Sequence, residues 1–250
     1  MARKRILKRS NKRSYDPNAQ RREDKQKEFN RKLDLVDVWP KTQNQKKIFT
    51  HYKEGKQLLL HGLPGTGKTF LTMYLALKEL MNEDSEIEKI IILRSAVSTR
   101  DIGFLPGSGA QKMKVFEAPY EEICSKLFDM SDAYSNLKMR RMIEFHPTSF
   151  IRGITFDNAI IIVDEVQNLN DHEVSSVITR MGDNSRIVMC GDFRQNDFVT
   201  KGAEESGIEN LFKTIKLMPS FAHVELQIED IVRSGLVREY IQARADLGLI

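Results

Sequence analysis

The chain has 250 residues, of which 40% are hydrophobic and 30% charged, with seven prolines and two cysteines. This composition is typical of a globular protein and excludes collagen-like, low-complexity and disulfide-rich chains, while the length allows one α/β domain or at most two small ones. No apolar run approaches the roughly 20 residues that cross a bilayer, and the basic first residues lack the apolar segment of a signal peptide, so we expect a cytoplasmic protein with no membrane partner.

The formal net charge of +4 is distributed unevenly along the chain. Residues 1–32 contain thirteen Lys and Arg against four Asp and Glu, a net charge of +9, so the rest of the chain carries −5. This basic segment has no periodic apolar face, and we expect residues 1–34 to form a disordered arm and residues 35–250 a folded domain. Such an arm can bind nucleic acid phosphates, although a solvated tail would have the same composition.

Short apolar runs alternate with helical patterns in the expected domain. The apolar runs predict five buried strands at residues 57–61, 89–93, 159–163, 187–190 and 221–226. Helices are predicted at 68–82, from a cap at Asn170 or Asp171 to Met181, and, in a less regular insertion between Gly103 and Thr155, at 119–127 and 133–144. Strands that are apolar throughout and separated by helices predict an α/β fold, with a mainly parallel sheet covered by helices on both faces.

Residues 62–69, Gly-Leu-Pro-Gly-Thr-Gly-Lys-Thr, match the P-loop pattern G-x-x-x-x-G-K-[ST] in full, between a predicted strand and a predicted helix. The glycines let backbone N–H groups turn toward a phosphate, and the helix N-terminus adds partial positive charge. Lys68 is predicted to reach the β- and γ-phosphates, and the Thr69 hydroxyl to bind Mg²⁺. The predicted nucleotide-binding loop consists of Gly62, Leu63, Pro64, Gly65, Thr66, Gly67, Lys68, Thr69 and Phe70.

Acidic and polar residues follow two of the other predicted strands. Asp164 and Glu165 come directly after the run 159–163, at the edge of a parallel sheet where a magnesium counter-charge is needed. Asp164 is the predicted magnesium ligand, through water, and Glu165 the base that orients and deprotonates an attacking water, which disfavours a small-molecule kinase. Gln195 follows the run 187–190 and is predicted to hydrogen-bond the γ-phosphate or that water, the alternative being a polar turn that caps the sheet.

Together, the segments GLPGTGKT, IIIVDEVQN, TRMG and GDFRQND resemble those of the PhoH-like proteins, P-loop ATPases related to superfamily 1 helicases. The segments LRSAV, GFLPG, IRGITFDNA and DIVRSGLV agree, so the resemblance covers about residues 40–245. It implies a RecA-like core that binds ATP and Mg²⁺ and hydrolyses ATP. It also implies RNA or single-stranded DNA as partner, with ATP hydrolysis coupled to this partner and RNA helicase activity as one form of the coupling.

The resemblance also implies roles for individual residues. Gln45 aligns with the glutamine that related helicases use to read adenine, and Gln43 is the neighbouring alternative. Arg180 in TRMG and Arg233 in DIVRS are the two candidates for an arginine finger, supplied by the same or a neighbouring subunit; a local ion pair is the alternative for each. The chain departs from the family where Arg-Pro is Arg94-Ser95 and where Arg-Gly-Arg is Arg152-Gly153-Ile154, which weakens inferences about that surface.

Related helicases bind ATP between two RecA-like lobes, and two lobes do not fit in the about 210 residues that follow the arm. A neighbouring subunit can supply the second face, which predicts a ring-shaped homo-oligomer, a hexamer by analogy. The alternative is an ATP-switched, nucleic-acid-binding regulator without motor activity.

Overall fold

The computed structural model of the protein describes residues 33–95, 109–151, 153–192 and 207–248, with only the backbone at 109–112 and 207–209. Residues 1–32 of the basic arm, the GFLPG segment, Arg152 and Gln195 lie outside the described residues, so what the sequence predicts for them stays a prediction. None of the helices in the described segments is long and apolar enough to cross a membrane.

Six strands and seven α-helices make up the described part of the fold. The strands are β1 (Gln57–Gly62), β2 (Lys89–Arg94), β3 (Ile143–Pro147), β4 (Ala159–Asp164), β5 (Arg186–Gly191) and β6 (Phe221–Leu226). The helices are α1 (Gln43–Lys53), α2 (Lys68–Leu80), α3 (Gly109–Phe128), α4 (Ala133–Met139), α5 (Asp171–Ile178), α6 (Gly207–Ile215) and α7 (Gly235–Asp246). Three short 3₁₀ helices lie at Thr148–Phe150, Val166–Asn168 and Ile228–Asp230.

The six strands form one parallel sheet in the order β3-β2-β4-β5-β1-β6. The β1 strand therefore lies between β5 and β6, and β4 lies between β2 and β5. Every residue of β4 is buried, as a central strand requires when both faces of a parallel sheet are covered. The predicted α/β fold and the five predicted strands are confirmed, and the carboxyl ends of all the strands meet at one edge.

Alternate residues of the strands point into two different apolar layers. Leu58 and Ile160 belong to the layer that packs against α1, α2, α3 and α4, whereas Leu59 and Ile161 belong to the layer under α5 and α6. Both faces of the sheet are thus covered by helices, as predicted. The chain joins the first layer from Leu33 onward, where the backbone N–H of Val36 donates to the Leu127 carbonyl at 2.8 Å.

The predicted helix over residues 133–144 is wrong in its second half. The helix α4 ends at Met139, Arg141 takes a left-handed backbone conformation with φ of 60°, and the chain then forms the edge strand β3. Ile143 and the residues after it pair with β2, starting at Ile90. The apolar residues after Met139 continue the spacing of a helix. The strand forms instead because pairing buries Ile143 and satisfies the backbone groups along β2, which a longer helix would leave unpaired.

The helices next to the site also differ from prediction at their ends. Asn170, one of the two predicted N-caps, caps α5 through a capping box with Glu173. This helix ends at Ile178 and not at Met181, because Met181 forms a bridge with Phe156 and the Arg180 carbonyl accepts from the Phe156 N–H at 2.9 Å. The helix α3 begins ten residues before the predicted start at Pro119 and carries that proline inside it.

Candidate nucleotide-binding site

The P-loop connects the carboxyl end of β1 to the first turn of α2. Gly62, with φ of 139°, lies so close to β6 that a Cβ on it would stand 1.9 Å from the Leu226 carbonyl oxygen. Gly67, with φ of 89°, is the N-cap of α2 in the left-handed conformation that glycine adopts without steric cost. Inside the loop, the buried Thr66 hydroxyl donates to the Leu63 carbonyl at 2.8 Å. The loop therefore ends at the N-terminus of α2, and helix N-termini are places where anions bind.

Lys68 extends back over this loop. Its Nζ donates to the carbonyls of Gly62 at 2.6 Å and Leu63 at 2.9 Å. Burial lowers the pKa of the Lys68 ammonium, and the charges of Asp192, Glu165 and Asp164 act in the opposite direction. The carboxylates at and just after the ends of β4 and β5 are therefore close enough to interact with the P-loop lysine, as the sequence predicts for the edge of a parallel sheet.

Asp164, the last residue of β4, is held from two sides. Its Oδ1 accepts from the Thr69 hydroxyl at 3.0 Å, and its Oδ2 accepts from the Tyr120 hydroxyl at 2.8 Å. Burial, and then the charge of Glu165, raises the pKa of the Asp164 carboxyl group, while these hydrogen bonds and the Arg94 charge oppose the rise. The structure thus brings together Thr69 and Asp164, the two residues predicted to bind magnesium.

Glu165 lies at the start of the 3₁₀ turn after β4, in a left-handed conformation with φ of 54°. Its carboxylate accepts a hydrogen bond from the Gln167 Nε2. The Oε1 of the same buried Gln167 accepts from the Asp192 N–H at 3.0 Å, at the end of β5. One glutamine therefore orients the predicted base and links the ends of two neighbouring strands.

Gln45, rather than Gln43, contacts the P-loop. The buried Gln45 side chain donates from Nε2 to the Thr66 carbonyl at 3.1 Å and accepts from the Lys41 N–H at 2.8 Å, whereas Gln43 is exposed. The amide of Gln45 thus joins the segment before α1 to the phosphate-binding loop. Its predicted contact with adenine stays a prediction.

The same segment is tied to the chain that follows β6. The buried Asp230 carboxylate accepts hydrogen bonds from the Thr42 hydroxyl, from the Asn44 Nδ2 at 2.8 Å and from the Gln227 N–H at 2.8 Å. Thr42 is itself the N-cap of α1 and accepts from the Gln45 N–H at 3.2 Å. Asp230 therefore holds the start of α1 in place beside the P-loop.

The two arginine-finger candidates lie at opposite ends of the strands, Arg233 at the carboxyl ends and Arg180 at the amino ends. Arg233 is at the P-loop of its own chain, because the neighbouring Val232 N–H donates to the Gly65 carbonyl at 3.3 Å and a Cβ on Gly65 would stand 2.9 Å from the Arg233 Cγ.

Arg180, in contrast, follows α5 and lies at the edge of the sheet where β4 begins, with its Nη1 3.4 Å from the Ile154 carbonyl. A six-residue strand such as β4 separates the two edges by roughly 17 Å. Arg180 is therefore remote from its own P-loop.

Sequence reasoning missed three features of this site: Tyr120, Gln167 and the structural role of Asp230. Tyr120 lies in a helix of the irregular insertion, where an aromatic side chain at helical spacing indicates core packing. Gln167 carried a signal, since it follows Asp164 and Glu165 within three residues. Sequence proximity suggests Asp230 only as a local partner of Arg233, and its carboxylate instead binds residues that lie more than 180 positions earlier.

The parallel sheet and the strand–P-loop–helix unit are those of the α/β fold of the P-loop nucleoside triphosphatases. Within this unit, the hydroxyl of Thr69 contacts the carboxylate of Asp164. A family model described as PhoH-like protein matches residues 37–245, and the chain belongs to that family. A PhoH-like protein of Synechocystis sp. is 34% identical over 183 residues, which cover 73% of this chain and 54% of the relative. The protein PhoH of Escherichia coli K12 is 31% identical over 193 residues, which cover 76% of this chain and 53% of the relative.

The chain thus spans about half the length of these curated relatives. Among solved structures, the large terminase from a thermophilic bacteriophage aligns with a TM-score of 0.46 and 14% identity, over 82% of this chain and 50% of that one.

Proposed function

We propose that this chain binds ATP together with Mg²⁺ and hydrolyses it. The observation that carries the proposal is the convergence of Lys68, Thr69, Asp164 and Glu165, from two distant parts of the sequence, at the carboxyl edge of the sheet around an intact P-loop. The family also supports a nucleotide-binding function. The four groups supply what hydrolysis of a phosphoanhydride requires: a cation for the phosphates, oxygen ligands for a metal, and a base.

The P-loop and Lys68 would hold the phosphate chain. The Lys68 ammonium now donates to two loop carbonyls, which keep it aimed across the loop, and phosphate oxygens are stronger acceptors for a buried cation. Gln45 would contact the adenine, because its amide lies beside the loop at the end from which α1 starts. A glutamine amide offers both a donor and an acceptor, which matches the edge of adenine.

Thr69 and Asp164 fit a magnesium ion by their chemistry, since a hydroxyl and a carboxylate are the hard oxygen donors that Mg²⁺ prefers. Burial raises the pKa of Asp164, so a cation beside it would stabilise its ionised form. When bound, Mg²⁺ neutralises charge on the β- and γ-phosphates. Thr69 and Asp164 would hold it, with Asp164 acting through water.

Glu165 would accept the proton of the attacking water. Gln167 donates to one side of its carboxylate and so orients it, while the second oxygen keeps lone pairs for the water. Gln195 would contact the γ-phosphate or the same water. Arg233, which lies beside Gly65 of the same chain, would contribute positive charge to the transition state, and Arg180 would do so only from a neighbouring subunit.

The test of ATP hydrolysis is a pair of substitutions at the two functions of the site. Glu165→Gln keeps the shape of the side chain and removes the base, so we expect ATP binding to persist and turnover to fall by about 10² to 10⁴-fold. Lys68→Ala should weaken ATP binding itself. Phosphate release measures turnover and isothermal titration calorimetry measures binding; unchanged hydrolysis by Glu165→Gln would remove Glu165 from the mechanism.

We also propose that hydrolysis is coupled to RNA or single-stranded DNA, with the arm at residues 1–32 contributing affinity. The charge of +9 in this segment supports the proposal, because each phosphate neutralised on a single strand releases counterions. Deleting residues 1–32 should therefore flatten the plot of log affinity against log salt, by about 0.7 for each lost contact. An unchanged slope would show that residues 1–32 make no contacts with the nucleic acid phosphates.

A regulator without motor activity is the second candidate, favoured by the presence of one sheet with one P-loop in the described residues. It predicts RNA affinity that changes with the bound nucleotide and no displacement of a paired strand. A strand-displacement assay with ATP and a tailed duplex separates it from a helicase.

A further inference from the structure

The carboxylate of Asp164 has a different donor on each oxygen. Thr69 is a P-loop residue and binds Oδ1, whereas Tyr120 comes from α3, on the insertion between β2 and β3, and binds Oδ2. The P-loop alone therefore does not decide how this carboxylate is rotated about its Cβ–Cγ bond. The second contact comes from a part of the chain that has no role in the proposed chemistry.

Tyr120 is well suited to hold one fixed oxygen. Its side chain is fully buried in the apolar layer that includes α2, and its ring packs against Phe145 of β3 at 5.8 Å between centroids. The Tyr120 hydroxyl donates to Asp164, and a phenol, with an ordinary pKa of about 10, carries its proton at neutral pH and so remains a donor. The ring cannot turn away without disrupting the core, and the donor position is therefore fixed.

A charged neighbour also acts on this carboxylate. Arg94 is the partner of Asp164 in the β2–β4 register, and its guanidinium attracts the same carboxylate. Without the donor on Oδ2, the attraction of the arginine is not balanced and the carboxylate is free to rotate about its Cβ–Cγ bond. The hydrogen bond from Tyr120 opposes that rotation.

We infer that Tyr120 is a positioning residue for magnesium: by holding Oδ2 of Asp164, its hydroxyl keeps Oδ1 directed at Thr69. The inference rests on the proposed function, because it assigns a role at the same magnesium site. The Tyr120–Asp164 hydrogen bond links helix α3 to the magnesium site. A movement of this helix would therefore change the affinity for Mg²⁺ as well as any affinity for the nucleotide.

Tyr120→Phe tests the inference, because it removes one hydroxyl and leaves the ring in the core. We expect the Mg²⁺ concentration for half-maximal ATP binding to rise about tenfold, since partners of metal ligands typically change metal affinity by roughly 10- to 100-fold. Affinity for ATP in EDTA should equal that of the wild type. Both are measured with a fluorescent ATP analogue, and turnover at saturating Mg²⁺ should fall much less than turnover at limiting Mg²⁺.

Tyr134→Phe is the matched control. Tyr134 is also buried, and its hydroxyl also donates to a carboxylate, but that of Glu117 in α3, at 2.8 Å, so this pair joins α3 to α4. Glu117 keeps a second donor, the Lys138 Nζ at 2.5 Å. We expect this variant to bind ATP with the wild-type dependence on Mg²⁺.

Three outcomes would overturn the inference: an unchanged Mg²⁺ dependence in Tyr120→Phe, an equal shift in Tyr134→Phe, or a loss of ATP binding by Tyr120→Phe in EDTA as well, which would indicate a general role in the fold. The proposed function fails separately, if the wild-type chain binds no ATP or binds it independently of Mg²⁺. Circular dichroism and thermal unfolding check that each variant is folded.

Discussion

At the scale of single residues, Gly62 combines two constraints at the point where β1 becomes the P-loop. Its backbone conformation is one that side chains disfavour, and a Cβ would overlap the Leu226 carbonyl of β6 at 1.9 Å. The Leu226 oxygen is a backbone atom and a Cβ is fixed to the backbone, so no change of rotamer can relieve the clash. The glycine therefore serves the sheet as well as the phosphate-binding loop.

We expect Gly62→Ala to lower the free energy of unfolding by on the order of 3 kcal/mol or more, because strain and overpacking act together. Urea denaturation measures the loss. Gly55→Ala is the control: its φ is 76°, but nothing lies within 4 Å of the added Cβ, so only the left-handed strain of about 1 kcal/mol should appear. Equal losses in the two variants would contradict the steric argument.

Between elements, Asp230 connects the entry to α1 with the segment after β6. Its carboxylate receives three hydrogen bonds, and one of its donors, Thr42, caps the helix that carries Gln45. The predicted adenine contact, the P-loop and Arg233 are thereby held in one arrangement. The strength of this link can be measured by removing the carboxylate.

Asp230→Ala should cost about 2 to 3 kcal/mol of stability, because it removes three hydrogen bonds to a buried carboxylate. It should also weaken ATP binding, since Gln45 loses its support. Asp246→Ala is the control, because Asp246 also accepts a side-chain hydrogen bond, from Gln242 at 2.9 Å, but on the exposed surface of α7. Chemical denaturation and ATP titration compare the two, and an equal effect of both would argue against the proposed role of Asp230.

At the scale of the whole molecule, the positions of the two arginines separate action within a chain from action between chains. Arg233 lies at its own P-loop, and Arg180 lies at the other edge of the sheet. A ring of head-to-tail subunits, as predicted from the sequence, would allow Arg180 to reach a neighbour's site. Light scattering in solution tests whether such a ring forms.

Mixing inactive variants tests the roles of both arginines. If Arg180 acts in trans, Arg180→Ala and Lys68→Ala are each inactive, but mixed oligomers contain sites with an intact Lys68 and a neighbour's Arg180, so ATPase activity should return. A mixture of Arg233→Ala with Lys68→Ala should stay inactive, because no site has both residues in its own chain. Recovery in the second mixture, or full activity of Arg180→Ala alone, would contradict this assignment.

The sequence by itself determined the P-loop, five of the six strands and the meeting of Thr69 with Asp164. These follow from local pattern: apolar runs predict buried strands, and the carboxyl ends of parallel strands must share one edge of the sheet. The edge strand β3 was not predictable in this way, because Ile143 continues the helical spacing of α4, and only pairing with β2 decides the conformation.

Only the tertiary structure decided which side chains complete the site. Tyr120 is 44 residues from Asp164 and Thr42 is 188 residues from Asp230, and no local pattern records such pairs. The same reason separates the two arginines: each follows a plausible motif, but the topology brings Arg233 to the P-loop and leaves Arg180 at the opposite edge. Long-range contacts depend on how the helices pack on the sheet, which periodicity and motif spacing do not specify.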